Sequence, residues 1–85
     1  MIISKKTPHL DLHGEITSMV EVLVNEFIND CIKTNNYFVV IIHGKSTNVL
    51  TKEVHRVLSK NKVVDNYYLN NWNLGETIVE LKKKS

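Results

Sequence analysis

Two short stretches of this 85-residue sequence combine side chains suited to proton transfer with a glycine: Asp11-Leu12-His13-Gly14 and His43-Gly44-Lys45-Ser46. An unperturbed imidazole titrates at about pH 6.5, so His13 and His43 suit general acid–base work near neutral pH. Asp11 can orient an imidazole or activate a nucleophile, and Lys45 adds positive charge beside Gly44. Each residue also has a plain structural reading. Asp11 can bond the backbone of the Gly14 corner, His13 can be a surface residue, and His43 can be a hydrogen-bonded histidine at a strand end.

The elements around them decide whether the two stretches meet. His9-Leu10-Asp11-Leu12-His13 alternates with period two and reads as a strand ended by Gly14. Ile16, Val20, Leu23, Val24, Phe27 and Cys31 form one apolar stripe, so a helix is expected, starting near Thr17 or Ser18. Ser18 with Glu21 resembles a capping box, and Asn35-Asn36 is the expected stop. Tyr37-Phe38-Val39-Val40-Ile41-Ile42 is an unbroken apolar run that suits a central strand. A second helix follows from Thr47 to Asn61, with Leu50, Val54, Val57 and Leu58 inward and Lys52, Arg56 and Lys60 as a basic ridge outward. Two final strands are expected at Asn66–Asn70 and Thr77–Lys82, joined by a turn-rich link that includes Gly75.

The resulting order is β-α-β-α-β-β, an α/β two-layer sandwich with a four-stranded mixed sheet and both helices on one face. Residues 1–8 read as a lead-in, 9–82 as the domain and 83–85 as a basic tail. In this order the two strand-to-helix corners meet at one sheet edge, where α/β folds collect ligands. The N-terminus of the second helix offers amide groups and a positive dipole end to a phosphate there.

Composition bounds the rest. The length allows one domain with a modest core. The net charge of +2 decides nothing about a polyanionic partner by itself. A single cysteine, Cys31, excludes an internal disulfide and a cysteine metal cluster and fits a reducing cytosol. No apolar run approaches the roughly 18 residues of a membrane span, and no signal peptide is expected after Lys5 and Lys6. No histidine pair has a usual zinc spacing, so no resident metal or cofactor is expected. His9 and His55 read as peripheral, Cys31 as core, Tyr67 and Tyr68 as closing the core's edge, and Trp72 as capping the final hairpin. Stacking of these aromatics on bases is the alternative.

Leu10-Asp11-Leu12-His13-Gly14 resembles the LDLHG motif of the Smr (small MutS-related) domain family, and Ile41-Ile42-His43-Gly44-Lys45 resembles its second, H-G-x-G motif. The ending Asn73-Leu74-Gly75-Glu76-Thr77-Ile78-Val79-Glu80-Leu81 is similar as well, so the resemblance spans about residues 9 to 82. It implies nucleic-acid binding, often with endonuclease activity on DNA or RNA, with Asp11, His13, His43 and Gly44 at the functional positions. On that reading Asp11, His13 and His43 are the catalytic candidates, and Gly14, Gly44, Lys45, Ser46, Lys52 and Arg56 the nucleic-acid contacts. Ser46 and Asn48 stand where the family usually has glycines, which bears on cleavage if the loop needs φ > 0 there. A histidine-rich, metal-poor site favours RNA, whose 2′-hydroxyl is an internal nucleophile; DNA needs activated water, often on a metal. The alternatives are a binding module that does not cleave, and a protein-interaction adaptor using an open sheet face with Val39, Ile41 and Ile78, a face that can equally dimerise. The expected setting is a stand-alone cytoplasmic domain, monomer or dimer.

Overall fold

The computed structural model describes Ile3 and residues 6–45 and 48–83. Its elements are β1 (His9–Asp11), α1 (Thr17–Lys33), β2 (Phe38–Ile42), α2 (Val49–Lys60), β3 (Val64–Asn70) and β4 (Asn73–Leu81). The strands form one sheet in the order β1-β2-β4-β3. β1 pairs parallel with β2, and β4 pairs antiparallel with both β2 and β3. β2 and β3 therefore run the same way without touching, because β4 is inserted between them.

Helix α1 buries Val20, Val24, Ile28 and Cys31, and α2 buries Val54, Val57 and Leu58. These pack on Leu12, Val39, Ile41, Val79 and Leu81 in one core. The Cys31 thiol is pushed up to about 11, first by burial and then by neighbouring Asp30, so it stays an inert apolar filler. The expected Ser18–Glu21 capping box is not formed: Ile16 is the N-cap and makes no side-chain cap bond. The stop is as expected, and it is a Schellman motif. Asn35 sits at φ 61, its N–H donates to the Ile32 carbonyl, and the Asn36 N–H donates to the Cys31 carbonyl.

Two expectations about strands change. Val39 and Ile41 lie in the core beneath the helices, not on the open face. The open face carries Phe38 and Ile78, with Val40 opposite Ile78 in register. An all-apolar run conceals which of its two phases faces the helices. The strands of the final hairpin are also longer than expected, and only Asn71 and Trp72 lie between them. Asn73 to Glu76 is already strand, although its asparagine and glycine resemble turn residues.

Candidate functional site

The corners after β1 and β2 converge through the parallel pairing of these strands. Beyond the ladder, the Leu12 N–H donates to the Ile42 carbonyl at 2.7 Å. Gly14 (φ 83) and Gly44 (φ 85) both adopt the left-handed backbone that glycine takes without penalty. The His13 ring rests against Gly44: a β-carbon there would lie 3.1 Å from its Cδ2. The imidazole of the first corner thus covers the backbone of the second. Asp11 is exposed, and its Oδ1 accepts the His13 backbone N–H at 2.9 Å. The carboxylate therefore shapes the corner that carries His13; its described hydrogen bond goes to that backbone and not to an imidazole.

His43 differs from its counterpart. It is 3% exposed and lies under the first turn of α2. Its Nε2 is 2.9 Å from Thr77 Oγ1, and its Nδ1 is 2.8 Å from Thr51 Oγ1 and 3.1 Å from the Gly44 carbonyl. Thr77, fully buried, also meets His55 Nε2 at 2.8 Å. A carbonyl only accepts, so in the tautomer with an Nδ1–H directed at Gly44, Nε2 of His43 accepts from the Thr77 hydroxyl. That hydroxyl then accepts from His55 Nε2–H. His55 is held below its ordinary value, first by burial and then by repulsion from His43, which favours its neutral form. Among the described residues no buried side-chain polar atom lacks a partner.

Backbone contacts pin the loop from the other side. The Gly75 carbonyl accepts the N–H groups of both His43 and Gly44, at 2.9 and 3.0 Å. A β-carbon at Gly75 would come within 3.2 Å of Lys45 Cγ and 3.3 Å of the Gly44 carbonyl carbon. Gly75 is thus a strand glycine chosen for close backbone approach. Gly44, Lys45, Asn48 and Thr51 line a depression of about 250 Å³ with Leu69 and Leu74 of the hairpin. Both helices start at this edge, and neither has a side-chain cap bond or an acidic residue in its first turn.

The remaining candidates separate. Lys45 and Lys52 are exposed near the start of α2. Arg56 instead reaches across to α1, with one nitrogen 3.1 Å from Glu21 and 2.6 Å from Glu53. Its charge is paired with these carboxylates at the surface, so a phosphate contact by Arg56 would have to compete with them. Asn48 sits at φ −88, a region open to any residue, so a side chain there brings no backbone strain. Ser46 lies outside the described residues. Among the described residues, no group of three or more His, Cys, Asp or Glu could hold a metal ion. Thr77, Thr51 and Gly75 were not singled out from sequence. The signal for Thr77 is a polar residue opposite core Ile41, visible only once the strands are paired.

A two-layer sandwich with a histidine–glycine corner at its parallel edge is the architecture defined here. The Smr domain family model matches residues 10–82, and the chain belongs to that family. Its relatives include "Endonuclease MutS2" of Halothermothrix orenii, 37% identical over 82 residues, and that of Geobacillus sp. (strain WCH70), 40% identical over 76. These alignments cover 93% and 86% of this chain but about 10% of each relative's length. The Smr domain of Thermus thermophilus MutS2 superposes with a TM-score of 0.85 at 20% identity, covering 89% of this chain and 99% of that one. YdaL, a stand-alone small MutS-related protein from Escherichia coli, also gives 0.85, at 24% identity, over 92% and 66% of the two chains. The two structures share the fold. No described helix is long and apolar enough to cross a membrane.

Proposed function

We propose that this domain binds nucleic acid at the edge where its two helices begin and cleaves a phosphodiester bond there. One observation carries the reading: the accessible His13 ring packs on the left-handed Gly44 backbone, next to Lys45 and the start of α2. A phosphate at that edge would meet amide dipoles and the charges of Lys45 and Lys52. His13 would transfer the proton, and Asp11 would hold the backbone that aims it. His43 serves this site as a positioning residue, since its ring is buried and its nitrogens are engaged. The relatives' printed name, Endonuclease MutS2, agrees with the activity proposed. A module that binds without cleaving has its own support, because burial of His43 leaves one accessible imidazole where two were expected.

The test is incubation with end-labelled structured RNA and with supercoiled DNA, with and without EDTA. Cleavage should fall about 10²- to 10⁴-fold in His13→Ala while binding and fold persist. RNA cleavage that survives EDTA and leaves a 2′,3′-cyclic phosphate would assign the 2′-hydroxyl as nucleophile. Binding should weaken with salt by about 0.7 to 0.9 log units per log unit and phosphate contact. Lys45→Ala should lower that slope by about one, and Arg56→Ala should leave it unchanged. No cleavage under any metal condition leaves the binding module, and salt-independent affinity removes the nucleic-acid reading altogether.

A further inference from the structure

We infer that the β3–β4 turn is a base-stacking platform, on which Trp72 takes the face of an unpaired nucleobase from a strand held at the Gly44–Lys45 loop. The inference rests on the nucleic-acid reading and narrows it to a substrate class: single-stranded segments, loops, bulges or flaps.

Trp72 is 95% exposed, by a wide margin the most exposed of the large apolar side chains described. Among the described residues it has no aromatic or cationic ring partner. The backbone beneath it is nonetheless fixed. Asn70, only 7% exposed, accepts the Trp72 N–H through its Oδ1 at 3.0 Å and donates its amide to Glu76 at 3.1 Å. A rigid turn thus presents a large, unpartnered indole, an arrangement that lowers the entropy lost when a ring stacks on it. Its bland sequence reading, a hairpin cap, needed contacts that this exposure excludes.

The platform is continuous with the loop. Three residues on from Trp72, the Gly75 carbonyl grips the His43 and Gly44 amides. Leu69 lines both the depression around Gly44 and Lys45 and the larger groove, about 780 Å³, that contains Trp72, Tyr68 and Phe38. Leu74, 56% exposed, stands beside Lys45 in the smaller one. Charge gives the path a polarity. The cations lie at the loop, whereas the larger groove is edged by Glu76 and Glu80. Phosphates belong on the loop side and apolar base faces on the hairpin side. A duplex cannot use this arrangement, because its base faces are already covered by their own neighbours; an unpaired base can, and base–aromatic stacking tolerates any sequence.

Trp72 is the sole tryptophan of the chain, so intrinsic fluorescence reads the proposed contact directly. The full chain would be titrated with oligo-dT and oligo-U of about ten nucleotides and with a blunt duplex, and affinities would be read in parallel from anisotropy of labelled strands. The expected result is strong quenching by the single strands and little by the duplex. Trp72→Ala should weaken single-strand binding about 5- to 150-fold with duplex binding within twofold, and Trp72→Phe should keep most of the affinity. Unchanged circular dichroism checks the fold of each variant. Anisotropy that shows binding with no quenching and no effect of Trp72→Ala overturns the platform and leaves the nucleic-acid reading intact. No binding of any strand removes both. Quenching by a leucine–lysine peptide but not by nucleic acid makes the turn a protein-docking element and also overturns the inference.

Discussion

Replacing Thr77 with valine tests the buried network beneath the site. The two side chains have nearly the same shape, and Thr77 is fully buried, so the substitution removes a hydroxyl and leaves packing almost unchanged. That hydroxyl meets two imidazole nitrogens, His43 Nε2 at 2.9 Å and His55 Nε2 at 2.8 Å. Each buried nitrogen left unsatisfied costs about 1–3 kcal/mol, and His55 is less buried than His43, so the sum is about 2–4 kcal/mol. For a small domain with a total stability of about 5–15 kcal/mol, this is a large fraction. At about 4–8 °C per kcal/mol, the melting temperature should fall by roughly 8–32 °C. Thr77→Ser keeps the hydroxyl and loses one methyl, about 1 kcal/mol with its small cavity. Urea titrations of both variants should therefore rank serine above valine. In a His55→Leu background the valine change should cost less, because one of the two orphaned partners is already gone. Valine as stable as wild type, or less costly than serine, would refute the role given to the hydroxyl.

Two further expectations follow from the same geometry. Since the folded-state value of His55 lies below the ordinary histidine value of about 6.5, the unfolded chain binds more protons in the window just below it. His55 neutrality therefore stabilises fully above about pH 6.5, and that contribution is lost as pH falls through the lowered folded value; urea midpoints measured from pH 7 to pH 5 should drop, and His55→Gln should flatten the drop. Gly14→Ala and Gly44→Ala each force a β-carbon onto a left-handed backbone, costing about 1–2 kcal/mol, but only at Gly44 does the new atom meet the His13 ring, 3.1 Å away. Gly44→Ala should thus be the more destabilising and should impair cleavage and binding further, and equal effects of the two changes would show that the ring contact is immaterial.

The element order and both helix stripes were legible because their periods are strong and their lengths unambiguous. What was not legible depended on pairing. The phase of β2 has no polar marker, so Val39 and Ile41 were assigned to the wrong face. Asn73 and Gly75 resembled a turn because their reason for being in a strand lies in another segment, the loop that Gly75 bonds. The Lys52, Arg56 and Lys60 ridge is evident from spacing, yet a partner of Arg56, Glu21, comes from α1. In the candidate site the glycines and the exposed Asp11–His13 corner could be read directly, since they are local features. Burial of His43 could not, because it follows from Thr51 and Thr77 converging on it from α2 and β4.

The contrast between the two histidines bears on how a corner of this kind works. A glycine loop exposed at a sheet edge has many conformations, and its amides can hold a phosphate only if the loop stays in one of them. Gly44 is fixed from both sides: the His43 ring approaches its carbonyl, and the Gly75 carbonyl takes its N–H. Lys45 and Asn48, just beyond it, are exposed. An imidazole suits the inner position because it can accept on one nitrogen while donating on the other; a lysine there would carry an unpaired charge into the core. On the proposed function the outer position needs a group that reaches a substrate, and His13 is exposed while its ring still rests on the fixed glycine. One residue type therefore takes two places, decided by burial: the His43 ring is enclosed beneath the loop, and on the function proposed above the exposed His13 is the one placed to exchange a proton with a bound phosphodiester.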